Sequence, residues 1–98
     1  MADAIAAHAA EQVIVQKLND AKQTVEVGGI YAHYRNPTQH YKVIAVALLE
    51  ANEAPCVVYQ PLYGSEAMRK MIWVRALDSW SSEVALEGKT VPRFHKVK

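Results

Sequence analysis

The stretch GGIYAHYRNPTQHYKVIAVALL, residues 28–49, decides the fold, because the hydrophobic pattern changes within it. The chain before it is alanine-rich and repeats apolar residues at helical spacing. The adjacent glycines Gly28 and Gly29 interrupt that repeat, as expected for a turn or a close backbone approach. Isoleucine, valine and tyrosine then dominate, and these residues favour strands. We therefore predict a helix followed by a β domain.

A helix is predicted from residue 2 to about residue 21. Six of the first ten residues are alanine, the best helix former, and no glycine or proline intervenes. Ile5, Ala9 and Val13 recur every four residues and give the helix a mostly apolar face. That face packs on its own domain or forms a homodimer interface. We divide the chain into an N-terminal helical extension, residues 1–24, and a small β domain, residues 25–98.

Short strands joined by short loops are predicted for the rest of the chain. Parallel neighbours need crossovers of a dozen or more residues, so these strands must pair antiparallel. Five strands in about 70 residues usually curl into a small barrel or a partly open roll. The fold class is therefore mainly β (α+β). The predicted strands are 30–34, 41–49, 56–60, 71–77 and 91–97, with turns at 36–39 and 87–89 and a helical turn at 78–84.

Composition limits the possible functions. A length of 98 residues, 51% of them hydrophobic, fits one soluble domain, and a net charge of +1 argues against a globally basic nucleic-acid binder. The N-terminus lacks the pattern of a secretory signal and no apolar run reaches membrane-spanning length, so we expect a cytoplasmic protein. Cys56 is the only cysteine and is expected to be a small buried residue. The four histidines lack metal-ligand spacing, and no cofactor motif is present.

Five ordered motifs resemble a known family, the bacterial domain of unknown function number 1653. The segment 29–35, GIYAHYR, is similar to its opening Gly-x-Tyr-x-His-Tyr-Lys, and WVR at 73–75 and VPRF at 91–94 are similar to its later motifs. The segments 41–47 and 57–63 resemble its intervening strands. The resemblance implies a bacterial protein with a small SH3-like antiparallel barrel, and it implies no activity.

Two positions depart from the family pattern. Members commonly carry a His-Ser-Glu-Thr-like stretch after the second strand, where this chain has Leu48, Leu49, Glu50 and Ala51. Ala76 also stands where the family usually has proline. Any role of that histidine or serine is therefore absent or replaced in this chain.

The candidate ligand site combines aromatic rings with arginines. Side chains alternate between the two faces of a strand, so each of four strands places an aromatic or apolar residue beside a cation or an imidazole. If these faces converge, they form an aromatic groove for an anionic, planar ligand such as a nucleotide, a nucleic acid or a peptide. The predicted ligand-binding residues are Tyr31, His33, Arg35, Tyr59, Trp73, Arg75 and Arg93.

Other interpretations stay open at this stage. Aromatic residues of a small domain usually fill its core, and Arg75 is equally suited to a structural cation–π contact or an ion pair with Glu50 or Asp78. The preferred hypothesis is a non-enzymatic binding module without catalytic or metal-ligating residues. One alternative is a small hydrolase or transferase that uses His33 with a tyrosine or Glu50. Another is an interaction subunit that dimerises through its N-terminal helix.

Overall fold

The computed structural model describes residues 10–98, which form one helix, seven strands and two single helical turns. The predicted helical residues 2–9 lie outside the described residues. The elements, in chain order, are α1 (Glu11–Thr24), β1 (Ile30–His33), β2 (Asn36–Leu48), β3 (Pro55–Pro61), α2 (Glu66–Arg69), β4 (Trp73–Ala76), α3 (Leu77–Trp80), β5 (Glu83–Leu86), β6 (Lys89–Pro92) and β7 (Phe94–Lys96).

The main sheet has five antiparallel strands in the order β4-β3-β2-β1-β7, and β5 and β6 form a separate two-stranded ribbon. The prediction of a helix followed by an antiparallel β fold is confirmed, but the sheet is open and does not close into a barrel. Closure would require hydrogen bonds between the edge strands β4 and β7. The chain between them instead forms α3 and the ribbon, and the α3 residue Trp80 fills the space over the sheet.

The core lies on one face of this sheet and is rich in aromatic residues. Trp80 packs edge-on against Tyr31 and Tyr59, with ring centroids 5.4 Å and 5.0 Å away, and stacks on Phe94. Burying one such ring removes about 150–250 Å² from water, so a few of them stabilise a small domain. The buried cluster is Val25, Tyr31, Val43, Val57, Tyr59, Trp80 and Phe94.

Three predictions about the strands and turns were wrong. The first hairpin turns at residues 34–35, where His33 pairs with Asn36, and the predicted turn at 36–39 is the beginning of β2. Pro37 is exposed at that beginning, a place where a strand tolerates proline. The predicted last strand is two strands, β6 and β7, and β5 was missed. Glu87 and Gly88 both have positive φ, 52° and 79°, which suits the tight turn of the β5–β6 hairpin.

The helix α1 packs on β2 and β3. Its Ala21 is buried, and the Lys17 ammonium lies 3.3 Å from a carboxylate oxygen of Glu53 in the β2–β3 loop. These contacts join the helix to the sheet within a single chain. No helix within residues 10–98 is long and apolar enough to span a membrane.

Candidate anion-binding site

Cross-strand pairing places two predicted site residues on the core face of the sheet. Trp73 lies opposite Tyr59, and Arg75 lies opposite Val57. Directly opposed side chains share one face of a sheet. Since Val57 and Tyr59 are core residues, Trp73 and Arg75 extend the core face to the β4 edge, where Trp73 remains 46% exposed.

The guanidinium of Arg75 is held by a hydroxyl and a ring. Its Nη1 donates to Ser79 Oγ at 3.1 Å, and its Cζ lies 5.3 Å from the centroid of the Phe94 ring. A cation over an aromatic face is attracted by the ring quadrupole. Of the two structural alternatives for Arg75, a cation–π contact is formed, with Phe94, and an ion pair with Glu50 or Asp78 is not.

A second serine holds Arg93. The Nε of Arg93 donates to Ser82 Oγ at 3.0 Å, and Ser82 Oγ in turn donates to the backbone carbonyl of Ser79 at 2.7 Å. We call Ser79 and Ser82 the serine bracket. Because Ser79 and Ser82 are hydrogen-bonded to each other, the bracket sets the positions of Arg75 and Arg93 together.

No carboxylate within residues 10–98 forms an ion pair with the arginines of this site. The ion pairs formed within residues 10–98 join Lys17 to Glu53, Lys70 to Glu66 and Lys96 to Glu26, and none involves Arg35, Arg75 or Arg93. A guanidinium has five N–H donors. Arg75 and Arg93 each use one of these donors on a neutral hydroxyl, so most of their donors remain available to a ligand.

His33 lies among these arginines. Its Nδ1 accepts the backbone N–H of Arg35 at 3.2 Å, and its ring meets Phe94 edge-on at 5.0 Å. Partial burial lowers the pKa of His33, and the positive charges of Arg75, Arg93 and Arg35 lower it further. All three arginines are therefore within electrostatic range of one imidazole. A neutral imidazole whose Nδ1 accepts carries its proton on Nε2, which is a donor.

A cavity of about 250 Å³ adjoins Arg75, which is part of its wall. Two hydroxyls meet there: Tyr41 Oη and Tyr63 Oη are 2.9 Å apart. Burial raises the pKa of the Tyr41 phenol, and the hydrogen bond to Tyr63 raises it further. The cavity is lined by Tyr41, Tyr59, Tyr63, Met68, Trp73 and Arg75.

The predicted site residues divide between surface and core. His33 and Arg75 both contact the Phe94 ring, and Arg93 is linked to Arg75 through the serine bracket. Trp73 is exposed beside Arg75, and Arg35 is exposed at the first hairpin turn, its Nε donating to Tyr34 Oη. Tyr59 is a core residue whose ring reaches the cavity. Tyr31 is only 7% exposed; it packs on Trp80 and accepts the backbone N–H of Glu26 through its hydroxyl. Tyr31 therefore lies in the core and not on the surface of the site.

Several site residues were missed by the sequence prediction. Ser79 and Ser82 are not among the predicted site residues, yet their hydroxyls hold Arg75 and Arg93. A sequence signal existed for Ser79, which follows Arg75 by four residues, but not for Ser82, which lies beyond the end of α3 and contacts an arginine eleven residues away. The other missed residues are Tyr41, Tyr63, Met68 and Phe94.

Residues that other chemistry would need are placed elsewhere. Cys56 is buried, as expected. Glu50 follows the end of β2 that is remote from the His33–Asn36 pair, and thirteen strand residues separate the two places, about 40 Å of extended chain. Within residues 10–98, no group of three or more His, Cys, Asp or Glu side chains is arranged to hold a metal ion.

The fold and the site define a class of small antiparallel β domains with an arginine-rich, aromatic face and an N-terminal helix. Residues 29–96 match the family model described as "Protein of unknown function (DUF1653)", and the chain belongs to that family. A crystal structure of a DUF1653 protein from Bordetella bronchiseptica is similar, with 28% sequence identity and a TM-score of 0.57 over 68% of this chain and 81% of that one. Comparison with curated proteins finds no match.

Proposed function

We propose that this protein is a non-enzymatic binding module that holds an anionic group between Arg75 and Arg93. One observation carries the proposal: two half-buried guanidinium groups are positioned by neutral serine hydroxyls and not by carboxylates. Guanidinium forks bind phosphate and carboxylate groups bidentately. His33 adds an Nε2–H donor to the same place.

The electrostatics of His33 support this proposal. Arg75 and Arg93 both lower the pKa of this imidazole, so both guanidinium groups contribute positive potential there. A carboxylate paired with either arginine would cancel part of that potential in the unliganded protein. Because no such pair forms within residues 10–98, the potential is available to attract an anionic ligand.

A catalytic role for His33 has less support. Its Nδ1 is engaged by the backbone N–H of Arg35, and no carboxylate within residues 10–98 hydrogen-bonds to its ring. A general base is usually oriented by a further side chain, as in catalytic triads. The geometry therefore favours His33 as a hydrogen-bond donor to a ligand.

Calorimetric titration of the protein with pyrophosphate at low ionic strength tests the proposal. Hydrogen bonds to charged groups contribute about 1.5–3 kcal/mol, so Arg75→Gln and Arg93→Gln should each weaken binding about tenfold or more. Arg69→Gln is the matched control, because it removes the same charge from an exposed arginine of α2. Equal weakening by all three variants would show nonspecific attraction, and absence of binding by the unmodified protein would refute the proposal.

A further inference from the structure

The cavity beside Arg75 has the shape and chemistry of a subsite for one planar ring. Its volume of about 250 Å³ is below the 300–1,000 Å³ typical of pockets for drug-sized ligands. A single ring system fits such a space, whereas a dinucleotide cofactor does not. Trp73 forms one wall and is 46% exposed, so a ring can enter from solvent and stack on the indole.

The cavity also contains polar groups for the edge of a ring. Tyr41 and Tyr63 share one hydrogen bond between their hydroxyls. Each hydroxyl has one proton and two acceptor lone pairs, so the pair retains one O–H donor and several lone pairs. A ring with its own donors and acceptors satisfies these groups better than a hydrocarbon ring does.

Arg75 connects this cavity to the anion site. It lines the cavity while its guanidinium lies over Phe94 and acts on His33, next to Arg93. A ligand whose ring occupies the cavity therefore extends its substituent past Arg75 toward the second arginine. We infer that the ligand is a nucleotide, with its base against Trp73 and its phosphate on Arg75 and Arg93. This inference rests on the proposed anion binding.

A peptide ligand fits these observations less well. A phosphorylated or acidic side chain supplies the anion but not a planar ring with polar edges beside it. Stacking of bases on exposed aromatic side chains tolerates any base, since every base has a π face. The nucleotide is either a free mononucleotide or one unit of a single strand, and both present the same base and phosphate.

The test compares four probes by calorimetry and by tryptophan fluorescence: pyrophosphate, ribose 5-phosphate, uridine monophosphate and a six-residue oligouridylate. Stacking should make uridine monophosphate bind about tenfold more tightly than ribose 5-phosphate. Trp73→Leu should remove that advantage and leave the affinity for ribose 5-phosphate unchanged. Because Trp80 is buried, quenching by the nucleotide should also disappear in this variant.

Val74→Ala is the matched control, because Val74 is 62% exposed and projects from the other face of β4. It should preserve the nucleotide advantage. Tighter binding of the oligouridylate would identify a single strand as the source, and equal or weaker binding would identify the mononucleotide. Equal affinity for ribose 5-phosphate and uridine monophosphate would overturn the nucleotide inference but not the proposed function. Absence of binding by all probes, pyrophosphate included, would refute both.

Discussion

The rings of Trp80 and Phe94 are stacked, with centroids 3.8 Å apart and planes inclined by only 4°. This contact joins the helical turn α3 to the edge strand β7, two elements that no backbone ladder connects. The same Phe94 ring lies beneath the guanidinium of Arg75 and beside the imidazole of His33. The stack therefore holds the open sheet together where the proposed anion site is built.

Phe94→Ala is expected to lower the free energy of unfolding by about 3–5 kcal/mol, because it removes a buried ring from the core and leaves a cavity. Urea denaturation measures the change. Val13→Ala serves as the control, since Val13 is 48% exposed on α1, and its effect should stay within about 0.5 kcal/mol. Equal stability of the two variants would show that the stack contributes little.

Ser82→Ala should weaken pyrophosphate binding several-fold, because Arg93 loses the hydroxyl that positions its Nε. The lost hydrogen bonds should also lower stability by about 1 kcal/mol. Ser81→Ala is the control within the same segment, as Ser81 Oγ donates only to the Leu77 carbonyl and touches neither arginine. It should change stability by a similar amount and leave the affinity unchanged. An affinity loss shared by both variants would contradict the positioning role.

The pKa of His33 should rise when an anion binds, because the anion offsets the nearby arginines and stabilises the imidazolium. By linkage, pyrophosphate affinity should increase as the pH falls through the pKa of His33. NMR titration of the imidazole with and without pyrophosphate measures this shift, and His33→Asn should remove the corresponding part of the pH dependence. An unchanged His33 pKa at saturation would place the anion elsewhere.

The same lowered pKa affects folding. Below the unfolded pKa of about 6.5, the unfolded chain binds a proton at His33 more readily than the folded protein does. The contribution of His33 to the free energy of unfolding is therefore present above pH 6.5, and it is lost as the pH falls through the pKa of His33 in the folded protein. Denaturation curves from pH 7.5 to 5 should show a smaller stability loss for His33→Asn than for the unmodified protein. Equal losses of stability by the variant and the unmodified protein would show that His33 does not contribute to the pH dependence of stability.

Tyr41 should stay protonated when ordinary tyrosines ionise, because burial and the bond to Tyr63 raise its pKa. Its contribution to stability is present below the unfolded pKa near 10 and is lost as the pH rises above it. Ultraviolet titration of the folded protein should reveal a phenol that resists ionisation, and Tyr41→Phe should remove it. Full ionisation of all tyrosines near pH 10 would contradict the raised pKa.

Local sequence patterns were enough to predict the class of fold, but not whether the sheet closes into a barrel. Strand-forming residues and short connections around Tyr31, Val43 and Val57 were enough to predict an antiparallel sheet behind a helix. Whether β4 meets β7 depends on the register of distant strands, which the alternation of side chains does not specify. In the structure, Trp80 of α3 packs over the core face of the open sheet.

The sequence was sufficient to predict which residue types form the site, but less so to predict which of them lie together on the surface. His33 and Arg75 both contact the Phe94 ring, and Arg93 lies in the bend between β6 and β7, so strand alternation does not explain its position. Tyr31 belongs to the core because Trp80 covers it. The serine bracket depends on the geometry of α3 and the chain after it, where two hydroxyls meet two arginines from separate strands and connections. Ser79 is only four residues from Arg75, whereas the contact of Ser82 with Arg93, eleven residues later, has no local sequence pattern.

NMR observation of the arginine Nε–Hε groups during titration with ribose 5-phosphate tests the central claim most directly. If Arg75 and Arg93 together hold the anion, their Nε–Hε resonances should shift and saturate with a single dissociation constant. The His33 imidazole should follow the same curve, and the exposed Arg69 should remain unaffected. Saturable binding that leaves Arg75 and Arg93 unshifted, or shifts Arg69 equally, would contradict the claim.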